Sequence, residues 1–181
     1  MRERKSSFKN LLRFLILSLI ISAGIRCPYS VEASRQKITY EDGDKYIGNI
    51  NDDTKEKNGS GKYFTAKGVV ISGKWKNDFL TGKATVIYPN KEKYVGYFKW
   101  DKRNGSGTYY FKNGDRYKGN WKNDKMNGKG TYTWKNKNYV KGTWKSGKLN
   151  GTATFKKGKY QYSIKVSKGK LKKVYSRKRV K

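Results

Sequence analysis

The chain has no histidine, one cysteine, two prolines and only 13 acidic residues in 181. Each shortage excludes something. Without histidine the commonest metal ligand is missing, and so is the usual general base near neutral pH. A single cysteine, Cys27, rules out an intramolecular disulfide. Hydrophobic residues make up 34% of the chain, where ordinary domains reach about 45–50% counting glycine. That excludes a compact globule around a large aliphatic core. Long apolar runs are also lacking: the mostly apolar stretch Phe14–Ile25 has 12 residues, against the roughly 20 of a membrane-spanning helix.

What is there is aromatic, flexible and basic. The chain holds 15 Tyr, 5 Trp and 20 Gly. A disordered chain is poor in aromatics. Rings with glycine and charge suit thin β-structure, where large side chains cover a sheet and glycine serves turns and close approaches. Lys and Arg number 44, for a formal net charge of +31. A surface of that kind repels its own copies and attracts polyanions or anionic membranes.

Residues 1–33 read as an export leader. Arg2, Arg4, Lys5, Lys9 and Arg13 form a basic start, the 12-residue apolar run follows, and Val31-Glu32-Ala33 gives a small-residue cleavage pattern before Ser34. Helix is expected only here. Alternatives are a buried N-terminal helix, an uncleaved anchor starting near Leu11, or a lipoprotein signal at Cys27, although Arg26 replaces the small residue usual before such a cysteine. The mature protein is expected outside the cytoplasm: secreted, periplasmic or at the cell envelope. Residues 34–39 read as a linker.

From residue 40 to 155 the chain repeats about five times. Gly48, Gly73, Gly96, Gly119 and Gly142 form one series, with steps of 23 after a first step of 25. Gly59, Gly82, Gly105, Gly128 and Gly151 form a second, every step 23. The extra two residues are expected near Ala66-Lys67-Gly68. Within a unit the spacing is two: Tyr117, Gly119 and Trp121 share one strand face, Lys118 and Asn120 the other, and Gly128, Gly130, Tyr132 and Trp134 alternate on the next strand. Asn113-Gly114-Asp115, Asn123-Asp124 and Asn127-Gly128 read as turns. Each unit is thus a β-hairpin that cannot bury its rings alone, and stacked copies make a sheet held by neighbour contacts. Tyr46, Gly48, Gly73, Trp75, Tyr94, Gly96, Phe98, Tyr117, Gly119, Trp121, Gly128, Gly130, Gly142 and Trp144 are read as framework. Glycine at 119 and 130 lets rings lie over the backbone.

The pattern Tyr117-Lys118-Gly119-Asn120-Trp121, then Asn127-Gly128-Lys129-Gly130-Thr131-Tyr132, resembles the MORN repeat (membrane occupation and recognition nexus). Tyr94–Tyr109 matches it with Phe98 for Trp. The units at 71–86 and 140–154 are looser, with Ile71 and Val140 for Tyr, and Ala84 and Ala153 for the last Gly. The resemblance implies an elongated, open antiparallel array, with a role in scaffolding, protein interaction or association with anionic phospholipid. Residues 156–166 read as a decayed copy or cap, and 167–181 as a basic tail with a mobile end.

Five-fold repetition argues against one privileged site, so catalysis, cofactors and a small-molecule substrate are not expected. Lys76, Lys99, Lys122 and Lys145 each follow the Trp or Phe, and period two puts them on the face opposite the rings. Lys102, Lys125 and Lys148 form a second column, expected in the connecting turns. Two strands at ~4.8 Å per hairpin space equivalent lysines about 10 Å apart. With Lys172, Lys173, Arg177, Lys178 and Arg179 of the tail, they are the candidate anion-binding residues. Anionic lipid, an envelope polyanion or an acidic protein partner fits this ladder; nucleic acid fits less well, since periodic rings on the packing face are not free to stack on bases.

Overall fold

The computed structural model describes residues 33–180. They form 13 strands: β1 Ala33–Thr39, β2 Lys45–Asn51, β3 Lys57–Phe64, β4 Val70–Lys76, β5 Phe79–Ile87, β6 Lys93–Lys99, β7 Lys102–Tyr110, β8 Arg116–Lys122, β9 Lys125–Thr133, β10 Tyr139–Lys145, β11 Lys148–Lys157, β12 Tyr160–Ser167 and β13 Lys170–Arg179. All are antiparallel, in one open sheet whose spatial order is the order of the chain. The expected all-β array of hairpins is what forms. The leader, with its expected helix and cleavage site, lies almost wholly outside the described residues.

The two long margins of the sheet differ. On one, most hairpins close through two residues that both have positive φ: Asn77-Asp78 (48° and 67°), Asn123-Asp124 (46° and 64°) and Ser146-Gly147 (49° and 82°). These are the values of type I′ turns, whose twist suits a two-residue hairpin and favours Asn, Asp and Gly. On the other margin the connections as far as β10 are five residues long and close on themselves, as in Phe111 N to Asp115 O at 3.0 Å, while two residues, Gly158-Lys159, join β11 to β12. The loop Thr65–Val69 follows the same pattern, so the irregular insertion is not there. It lies between β2 and β3, where residues 52–56 replace the two-residue turn. There Asn51 Oδ1 accepts from the N–H groups of Asp53 and Thr54.

One face carries the rings. Tyr46, Tyr94 and Tyr117 are fully buried, and Trp75, Trp121, Trp144 and Phe98 nearly so. A single sheet buries a tyrosine this deeply because the ring lies flat on glycine. A Cβ added at Gly119 would come 2.5 Å from both Tyr117 Oη and Gly130 Cα. Gly48 with Gly61, and Gly96 with Gly107, floor Tyr46 and Tyr94 in the same way. The next repeat's indole closes the ring edge-on, Trp121 on Tyr94 at 5.4 Å and Trp144 on Tyr117 at 5.3 Å, a preferred aromatic geometry. The looser repeats are a second solution to the same packing. Where Ile71 and Val140 replace tyrosine, Ala84 and Ala153 replace the floor glycine, and Leu80 and Leu149 fill the remaining space beside Gly73 and Gly142.

Three further expectations need correction. The supposed linker 34–39 belongs to β1, which pairs residue for residue with β2 and sets Ile38 opposite Tyr46. Asn127-Gly128 is not a turn: it lies inside β9, where the register slips between Gly119 and Trp121. Gly128, at φ 92°, supplies the left-handed bulge residue, as Gly59, Gly82, Gly105 and Gly151 do in their strands. The alternating residues of the cap form strand β12, with Ile164 and Val166 buried. The basic tail is strand β13 through Arg179, because its residues alternate in register against Tyr160 and Tyr162 of β12.

Candidate anion-binding face

On β8 the side chains alternate between exposed Arg116, Lys118, Asn120 and Lys122 and the ring face of Tyr117 and Trp121. The face opposite the rings is therefore the one open to a large ligand. Lys76, Lys99, Lys122 and Lys145 all lie exposed on it, each as the last residue of its strand. Lys102, Lys125 and Lys148 are not in the turns, as expected, but open β7, β9 and β11, because the I′ turns use only two residues. The consequence is direct pairing: Lys99 stands opposite Lys102, Lys122 opposite Lys125, and Lys145 opposite Lys148. Like charges directly opposite one another destabilise an antiparallel pair. The first member of the series departs from this, since Lys76 faces Phe79.

The aspartates of the turns beside these lysines are held by bonds to the preceding hairpin. Each aspartate of an I′ turn reaches back one hairpin: Asp78 accepts from Lys57 N at 2.9 Å, Asp101 from Leu80 N at 2.7 Å and Asp124 from Arg103 N at 3.0 Å. On the opposite margin Asp115 accepts from Tyr132 Oη (2.6 Å) and Lys135 N (2.9 Å), and Glu92 from Tyr109 Oη (2.7 Å). These bonds hold the Asp115 and Glu92 carboxyls below their ordinary range, the tyrosine bond first in each case. Burial, and then the carboxylate, raises the Tyr132 phenol to about 12. Among the described residues the ion pairs are Lys57–Asp78 (2.7 Å) and Arg103–Asp124 (3.0 Å). The Arg103 guanidinium also lies 4.5 Å from the Trp121 ring centre. Lys57 and Arg103 thus serve the ring face, not the ladder.

Charge is graded along the array. Residues 33–64 hold six basic and six acidic side chains, whereas residues 125–181 hold 19 lysines and arginines and no acid. The tail cations are divided by β13. Lys173 pairs with Lys165 and Lys178 with Gln161, while Arg177 and Arg179 pair with Tyr162 and Tyr160. Lys172 falls where the register slips. Arg177 packs 4.7 Å from the Tyr160 ring. No group of three or more metal-ligating side chains occurs among the described residues.

The sequence reading missed the aromatic side chains on the outer face. Phe79, Tyr97, Trp100 and Tyr110 are each 40–57% exposed. The repeat alignment itself holds the signal: Trp100 stands where other turns have Asn77, Asn123 and Ser146, and Phe79 where other strands have lysine.

A meander of hairpins with tyrosine on glycine, indole on tyrosine and aspartate-pinned turns defines a class of single-sheet repeat array. The MORN repeat profile matches residues 72–93, 94–116, 117–139 and 141–164, and the chain belongs to the MORN repeat family. The hairpin β2–β3 precedes the matched segments yet has the same floor of Gly48 and Gly61 under Tyr46. No curated protein matches the chain. Among solved structures it is similar to the SAS-4 (dCPAP) TCP domain of Drosophila melanogaster in complex with a proline-rich motif of Ana2, at 16% identity and a TM-score of 0.36 over 72% of this chain and 88% of that one. The TCP10 domain of Danio rerio CPAP, bound to a STIL peptide, matches at 11% identity and a TM-score of 0.22 over 73% and 79%. A virginiamycin B lyase from Staphylococcus aureus matches at 7% and 0.21, over 86% and 73%. Overlaps this weak carry no functional argument.

Proposed function

We propose that this is an exported, non-enzymatic repeat protein that binds an extended anionic surface, phospholipid or envelope polymer, through the lysine face of its sheet. The observation that carries the reading is the set of three cross-strand lysine pairs, repeated in phase with the fold. Sheets ordinarily avoid such pairs, and among the described residues no ion pair with an acid involves them. A surface carrying many negative charges removes the repulsion at every pair together. The rise in charge toward β13 supports contact centred on the C-terminal repeats. The buried rings favour lipid or polymer over bases, which need free aromatic platforms. The basic leader with its apolar run supports a site of action outside the cytoplasm.

The test is a salt series on the full chain with anionic vesicles, a phosphate-rich wall polymer and single-stranded DNA. Binding is expected to fall steeply with salt, because screening acts over about 8 Å at physiological strength. Replacing Lys76, Lys99, Lys122 and Lys145 with Gln should weaken it while holding or raising the melting temperature, because it removes one charge from each of the three like-charge pairs. Salt-insensitive binding to one acidic protein, with no retention on lipid or polymer, decides for a protein scaffold instead.

A further inference from the structure

Two neighbouring hairpin tips break the repeat in the same way. In the turn between β6 and β7, Trp100 holds φ 52°. A bulky residue at positive φ is a true outlier, and this position favours Asn or Gly. At the head of β5, Phe79 replaces the lysine found at Lys102, Lys125 and Lys148, and it pairs with Lys76 on the outer face. The two exceptions meet: their rings pack edge to face at 5.2 Å, yet Trp100 remains 57% and Phe79 43% exposed. The tip is also pinned. Asp101 accepts from Leu80 N at 2.7 Å and donates its own N–H to Leu80 O at 3.2 Å, tying the Trp100 turn to the strand that carries Phe79. Lys76, Lys99 and Lys102 flank the pair, all exposed.

A strained tryptophan held half in water has lost the turn's preferred chemistry and gained no core. Strain of this kind gathers where a ligand uses it. Ammonium groups around exposed aromatic rings fit the headgroup layer of an anionic bilayer, which draws basic side chains electrostatically and accepts Trp at the boundary of its hydrocarbon. We infer that Trp100 and Phe79 form an aromatic anchor that enters the interface of an anionic lipid bilayer, so that the margin of two-residue turns, and not only the flat lysine face, meets the membrane. The inference rests on the lysine-face reading for its charge, and it commits that reading to lipid over soluble polymer at this tip.

The experiment uses the full chain and vesicles of three parts phosphatidylcholine to one part phosphatidylglycerol, with and without brominated acyl chains. No tryptophan precedes Trp75, so quenching is blind to insertion of the leader. Trp75, Trp121 and Trp144 are buried and Trp134 is half-buried, so quenching should come from Trp100. Trp100→Asn should abolish it while holding or raising the melting temperature, since Asn is the residue of the sister turns. Phe79→Lys should strengthen retention on a soluble phosphate polymer, because it completes the lysine column, and should reduce quenching by the brominated lipid. Unchanged quenching in Trp100→Asn overturns the anchor, as does salt-sensitive vesicle binding with no quenching of the parent chain; the latter leaves the lysine-face reading intact. Quenching of Trp100 with full retention of the four-lysine Gln variant on the vesicles overturns the lysine face and leaves the anchor. No association with vesicles at all overturns the anchor outright.

Discussion

Gly130→Ala adds one carbon to the floor beneath Tyr117, and its effect can be worked from the structure. A Cβ at Gly130 would lie 2.5 Å from Tyr117 Cζ, where carbon atoms ordinarily rest about 3.5–4.0 Å apart. The ring must therefore lift by about 1 Å. It has nowhere to go, because Trp121 and Trp144 meet its faces and edges at 5.3 Å each. Overpacking costs about 1–3 kcal/mol, and loosening one edge-to-face pair about 0.5–1.5 kcal/mol more, so we expect a loss of about 2–4 kcal/mol. The protein's own fifth repeat contains the remedy. Combining Tyr117→Val, Met126→Leu and Gly130→Ala reproduces the set Val140, Leu149 and Ala153, in which Ala is tolerated. Urea denaturation of the single, double and triple variants measures the coupling, which should recover about 0.5–3 kcal/mol against the sum of the single effects. Gly130→Ala melting with the parent, or additive behaviour across the set, refutes the ring-on-glycine account.

Other expectations follow from the same packing. Trp121→Ala removes edge contacts to Tyr94 and Tyr117, and the indole donation to Gly107 O at 3.3 Å; denaturation should show a loss of about 3–5 kcal/mol. Burial raises the phenols of Tyr46 and Tyr117 from 10.0 to about 12. Their contribution to stability is complete below pH 10 and lost as pH rises through about 12, so a pH titration of tyrosinate absorbance should rise together with the loss of β-sheet signal. Export predicts that protein taken from its own host starts near Ser34 by intact mass; an unprocessed soluble cytoplasmic form refutes the leader reading.

Period two and the two glycine series were enough to read hairpins, their stacking and the ring face from the sequence, because residues such as Tyr117, Gly119 and Trp121 obey a local rule. The candidate ladder was legible for a similar reason: alternation fixes which face Lys122 takes. What the sequence hid depends on pairing register. The opposition of Lys122 and Lys125 follows from the turn type, and Asn127-Gly128 looks like a turn until its neighbours show that it is a bulge. Strands β1 and β13 were misread because polar and basic composition imitates linker and tail, while their register against β2 and β12 is a non-local fact. The roles of Asp78, Asp101 and Asp124 were invisible because each partner lies about one repeat away.

Because spatial order equals chain order, β1 and β13 are the two edge strands of the sheet, and every interior strand is held only by the two beside it. Tension between the two edge strands would load one pairing at a time. The array would yield by peeling, hairpin after hairpin, each releasing 23 residues, or about 80 Å of extended chain. The aspartates at successive turns act as stops along that path, since each pins one hairpin to the next. A body fixed to a surface along its lysine face and pulled from one end would then lengthen in steps without tearing free, and re-zip from the nearest intact hairpin when the load is removed.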